Sequence, residues 1–107
     1  MKFGVAIVPH DLTETAVSAK LAEDLGFDYV GIPDSQSLWR ELYLSLSVVA
    51  NATSRVRIGP TVTSALTRHP AVAASAIATL NEMSGGRAFL GIGRSEEHTS
   101  ELQSRAY

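Results

Sequence analysis

Apolar residues in this chain fall into two kinds of run that alternate along it. Short runs rich in Val and Ile, at Phe3 to Val8, Tyr29 to Ile32, Arg57 to Val62 and Ala88 to Ile92, are closed by Pro or Gly and predict strands. The longer segments between them predict helices. In the first, Ala16, Ala19, Ala22 and Leu25 fall near one face, with Lys20, Glu23 and Asp24 off it. Asp11 and Glu14 form a capping-box-like pair at its start, and Gly26 stands where a helix end takes a left-handed residue. The second, Glu41 to Ala52, is apolar around most of its circumference through Leu42, Leu44, Leu46, Val48, Val49 and Ala50. It is expected to be largely buried, or else buried partly by another subunit. The third opens on Pro70, carries Ala73, Ala76, Ile77, Leu80 and Ser84 at helical spacing, and ends at Gly85-Gly86.

The resulting order is β-α-β-α-β-α-β, with strand starts about thirty residues apart, the size of a βαβ unit. Strands joined by helices imply a parallel sheet covered by helices. Two architectures remain open on this pattern, a doubly wound sheet and part of a (β/α)₈ barrel. Four strands do not close a barrel, which takes about 250 residues.

Composition narrows the function classes. With 107 residues, 45% hydrophobic and 19% charged, this is the make-up of one small globular domain. A net charge of −2 with scattered Lys and Arg argues against nucleic acid and anionic membrane as partners. The absence of cysteine removes disulfides and thiolate metal sites. The N-terminus lacks the apolar core and cleavage site of a signal peptide, and no stretch has transmembrane length, so a cytoplasmic location is expected.

The chemistry is expected in Ile58 to Pro70, IGPTVTSALTRHP, where a strand end passes through small and hydroxylated residues into a helix start. Ligand sites of α/β enzymes are built at such strand ends. Thr61, Val62 and Thr63 offer backbone groups and hydroxyls there; the plainer reading is a strand end whose threonines satisfy local backbone. Asp34, after Pro33 at the end of the second strand, is a candidate to position substrate or orient a proton, and equally a turn residue bonding its own backbone. Arg68 reads as a loop anchor and His69 as a neighbour of the helix cap. Gly91-Ile92-Gly93 begins like a dinucleotide fingerprint but lacks the third glycine and the helix, and is rejected.

After Gly93 the composition changes. Arg94 to Ser104, RSEEHTSELQS, matches the in-frame translation of a widely used short-read sequencing adapter over eleven consecutive residues. Residues 94–107 are therefore expected to be a non-native tail on a domain comprising residues 1–93. His98, flanked by Glu97 and Glu101, is accordingly not read as a metal ligand, and no metal site is expected.

Two longer stretches carry a family resemblance: AEDLGFDYVGIPDS, and RIGPTVTSALTRHPAVAASAIATLNEMSGGRAFLGIG. They resemble the luciferase-like monooxygenase superfamily, and within it the branch of the deazaflavin-dependent methylene-tetrahydromethanopterin reductases. The resemblance covers Met1 to Gly93 and implies a (β/α)₈ TIM barrel, of which this chain is the N-terminal half. It implies an oxidoreductase transferring hydride between reduced coenzyme F420 or FMN and a small organic substrate, homodimeric as a full-length protein; the alternatives are a flavin-dependent monooxygenase of the same superfamily, and a truncated fragment with no activity of its own. By the same resemblance Asp34 faces the catalytic pocket, and Thr61-Val62 matches a non-prolyl cis peptide packed against the cofactor ring, with Thr63 beside it. Ser35 stands where several relatives carry a catalytic His, and Ala6 where the methanogen reductases carry an acid. The phosphate site of such barrels lies after the last strands, outside this chain.

Overall fold

The structure, a computed structural model, describes residues 1–93, so the expected tail at 94–107, with His98, lies outside the described residues. Strands β1 (Gly4–Ala6), β2 (Tyr29–Ile32) and β3 (Arg57–Pro60) form a parallel sheet in the order β1-β2-β3. Helices α1 (Leu12–Asp24), α2 (Leu42–Ala52) and α3 (Pro70–Met83) connect them in sequence. A second parallel pair joins β4 (Thr63–Ser64) to β5 (Ile92–Gly93).

This arrangement separates the two candidate architectures. The fourth run bridges Ile58 of β3 at Ala88, so the sheet grows onward past β3 instead of returning to the far side of β1 as a doubly wound sheet does. The helices also stand side by side, α1 against α2 and α2 against α3. One core lies between them and the sheet: Val30, Ile32 and Ile58 from the strands meet Ala19, Ala22, Leu42, Leu46, Val49 and Leu80 from the helices. Helices in a row against one face of a sheet that grows one strand at a time is how a β/α barrel is built.

The helix boundaries follow local chemistry. The Asp11 side chain accepts from the Glu14 N–H at 2.9 Å, and Gly26 takes φ +94° just past the Leu25 cap. Glu41 caps α2 by accepting from the Leu44 N–H at 2.8 Å. His69 is itself the cap of α3, its Nδ1 accepting from the Ala71 N–H at 3.0 Å, with Pro70 following. Gly85 and Gly86 both have positive φ after α3.

Several expectations need correction. The first strand is shorter than Phe3 to Val8 and mostly exposed, because it pairs only with β2 among the described residues. The third ends at Pro60; Thr61-Val62 interrupts it, and pairing resumes one strand over as β4. The fourth is a bridge from Ala88 to Ile58 followed by β5, not one continuous run from Ala88 to Ile92. On α1, Leu25 is 68% exposed whereas Glu23 is buried. On α2, Leu44 is 67% exposed, so apolar character all round did not bury the whole circumference.

Glu23 shows why residue type alone misplaced it. Its carboxylate turns toward the loop before β3 and accepts from the backbone N–H groups of Ser54, Arg55 and Val56 at 2.6 to 3.2 Å. Burial pushes its pKa up, but those donors overrule it and lower it to about 2. From the other side of the same region, Arg87 donates to Ala50, Thr53 and Val56 carbonyls at 3.0 to 3.1 Å, tying the end of α2 to the turn after α3.

Candidate functional site

The C-terminal ends of β2 and β3 meet at one edge of the sheet, and the predicted site residues converge there. Ile32 pairs with Pro60 at the top of the ladder, so the loops beginning at Pro33 and Thr61 leave side by side. The Thr61-Val62 peptide is cis. It is flanked by two backbone bonds: the Thr61 N–H donates to Ile32 O and the Thr63 N–H to Gly91 O, each at 2.9 Å. Between those ties Val62 turns outward, with 54% of its surface exposed, and Thr61 is exposed beside it.

Thr63 and Asp34 are brought together, but facing inward. The Thr63 hydroxyl donates to Asp34 Oδ2 at 2.8 Å and is itself buried. Arg68 approaches the same carboxylate, Nη1 at 2.6 Å from Oδ2 and Nη2 at 3.4 Å from Oδ1. Nη2 also reaches Glu41 Oε2 at 2.6 Å, while the other oxygen of Glu41 caps α2. One guanidinium therefore joins the loop after β2, the loop after β4 and the start of α2. Arg68 and Asp34 side chains are 11% and 6% exposed, which makes this an ion pair shielded from solvent. Burial works against the Arg68 charge, and the bonds to Asp34 and Glu41 overrule it, raising its pKa. Its Cζ lies 5.1 Å from the centre of the Tyr43 ring. Burial pushes the Tyr43 phenol pKa up, and its Oη has no hydrogen-bond partner among the described residues.

This geometry changes what Asp34 can do. Both of its oxygens are engaged, by Thr63, Arg68 and, at 3.4 Å, the Gln36 amide. A carboxylate held this way positions the loops around it. The sequence reading of Arg68 as a loop anchor agrees with its contacts. Ser35 is buried next to Asp34.

Two rim residues went unnoticed as site neighbours. Trp39 donates its indole N–H to Pro33 O at 2.9 Å and meets His10 edge to face, ring centres 6.4 Å apart. The Arg40 N–H donates to Pro9 O, so the loops after β1 and β2 are joined at the same end of the sheet. An aromatic and a His just beyond Pro-closed strands were the available signal. Among the described residues no cluster of His, Cys, Asp and Glu is arranged to hold a metal.

A flat heteroaromatic ring needs an apolar surface at a strand end with backbone polar groups close by. The exposed Val62 side chain, with the Thr61-Val62 peptide beside it, provides such a surface, so these residues fit a flavin or deazaflavin ring.

Comparison with known proteins agrees with the architecture. The chain is 46% identical over 100 residues to the 5,10-methylenetetrahydromethanopterin reductase of Methanolobus tindarius, covering 92% of this chain and 30% of that protein. It is 38% identical over 86 residues to the F420-dependent hydroxymycolic acid dehydrogenase of Mycobacterium tuberculosis, covering 73% and 24%. The solved structure of the F420-dependent tetrahydromethanopterin reductase from Methanopyrus kandleri superimposes with a TM-score of 0.89 at 38% identity, covering 96% of this chain and 30% of that one. The chain thus spans about 30% of the length of these reductases. Its fold is the opening part of their TIM barrel. The description of the luciferase-like monooxygenase family matches residues 1–103, and the chain belongs to that family.

Proposed function

We propose that this chain supplies one wall of the cofactor site of an F420- or FMN-dependent oxidoreductase. The observation that carries the reading is the exposed Val62 at the C-terminal end of β3, in a chain 46% identical to a reductase of this kind. The bound cofactor would supply the hydride chemistry, passing a hydride to or from a small organic substrate. The work of this chain is positional. Val62 gives the ring an apolar face, and the Thr61-Val62 peptide offers polar groups at its edge. Thr63 contributes from behind, since its hydroxyl holds Asp34. Asp34 is a positioning residue in this scheme: paired to Arg68, it fixes the loop that faces the ring.

The relatives named as F420-dependent favour the deazaflavin over FMN. Their reductase members favour a substrate of the C1-pterin kind, although other unsaturated compounds fit the same hydride chemistry. We further propose that the whole protein is a homodimer. Fluorescence titration of the whole protein with F420 and with FMN tests the assignment. Saturable F420 binding with substrate-dependent turnover is expected. Tight FMN binding without F420 turnover would move the reading to the flavin monooxygenases of the family, and binding of neither would overturn it.

A further inference from the structure

The Thr61-Val62 edge rests on a gap in the sheet. Gly31 of β2 lies in register with Ala6 of β1 and Gly59 of β3, so one level of the sheet carries minimal side chains across three strands. The Thr61 side chain fills the space over Gly31. A Cβ placed on Gly31 would collide with Thr61 Cγ2 and Oγ1, and would lie 2.9 Å from Thr61 Cβ. Rotating Thr61 about χ1 does not relieve this, because Cβ moves only with the backbone. On the far side, Val62 Cγ1 lies 3.3 Å from where a Gly91 Cβ would stand, and Cγ2 lies 3.5 Å from that of Gly93. The edge is therefore seated on both sides by residues without side chains. Its backbone ties, Thr61 N–H to Ile32 O and Thr63 N–H to Gly91 O, leave little slack.

We infer that Gly31 is a positioning residue for the cofactor wall: its missing side chain sets the depth at which Thr61 seats, and hence how Val62 is presented. What Val62 faces rests on the function proposed above; the seating of Thr61 on Gly31 does not. A methyl group at position 31 pushes the Thr61 backbone outward, loosens the tie from Thr63 to Gly91, and turns the apolar face away from a ring. Removing the Thr61 side chain together with its Cβ vacates the space again.

The test is a double-mutant cycle of Gly31→Ala and Thr61→Gly in the whole protein. One readout is amide hydrogen exchange at Thr63 without ligand, the other the dissociation constant for F420 and FMN. Gly31→Ala is expected to speed Thr63 exchange and weaken ring binding, each by about tenfold or more. The double variant returns both to within about threefold of Thr61→Gly alone. Gly91→Ala serves as the contrast: its Cβ would run into the Pro60 carbonyl oxygen, so Thr61→Gly does not rescue it. Unchanged exchange in Gly31→Ala, or no rescue in the double variant, overturns the inference. If Gly31→Ala does not fold, folding of the double variant supports the seating and its failure refutes it. A protein that binds neither cofactor defeats the proposed function, while the exchange cycle still decides whether Gly31 seats the edge.

Discussion

Replacing Glu23 by Gln removes one negative charge from a carboxylate that holds three consecutive backbone N–H groups, those of Ser54, Arg55 and Val56. The side chain is 5% exposed, so water does not substitute for these bonds. Burial raises the Glu23 pKa and the backbone donors lower it further, to about 2 from 4.5. At about 1.4 kcal/mol per unit, that difference corresponds to about 3 kcal/mol of folded-state preference for the charged form. A Gln oxygen still accepts from one or two of the donors, so Glu23→Gln is expected to cost about 2 kcal/mol at pH 7. The exposed Lys20 nearby adds little. The sign follows from a folded pKa below the unfolded one. The stabilisation is complete above about pH 5 and is lost as pH falls from about 4.5 toward 2. Urea unfolding of the two proteins at pH 7 and at intervals down to pH 2.5 measures this through the midpoint at constant slope. A loss under about 0.5 kcal/mol at pH 7, or a gap that stays constant on acidification, refutes the reasoning.

Arg68→Ala strands the shielded Asp34 carboxylate and should cost about 3 kcal/mol by urea unfolding, with Arg68→Lys in between because it keeps the charge but not the fork. A loss under about 1 kcal/mol would class it as an ordinary surface pair. Arg87→Ala removes the donor that ties the Ala50, Thr53 and Val56 carbonyls together; a fall of about 2 to 3 kcal/mol is expected in the same assay. Arg87→Lys should recover only part of it, since one ammonium cannot reach the carbonyls that the planar group spans.

The sequence by itself determined the elements that depend on near neighbours. Asp11 with Glu14, Gly26 and Pro70 each act within one turn of a helix, so their effects were legible, and the helices begin and end close to where those residues put them. The β2 run was bounded correctly because Pro33 closes it locally. The family motifs also carried the cis peptide at Thr61-Val62, which no local rule would have suggested. Choosing a barrel over a doubly wound sheet was beyond the element order alone, which both share. It required that motif match, and the Ala88 run adding beside β3, with the helices in a row, then bears it out. Tertiary structure alone decided the partners of charged residues. Glu23 looks like a solvated helix position until the loop 31 residues later brings its backbone donors, and nothing near Asp34 in the chain announces that Arg68, 34 residues on, pairs with it. It also decided why position 31 is glycine, because Thr61 arrives there from the next βα unit. Helix caps and turns are set by energies acting over one turn; the partners of a buried charge, or of an absent side chain, are set by which distant strands the fold lays side by side.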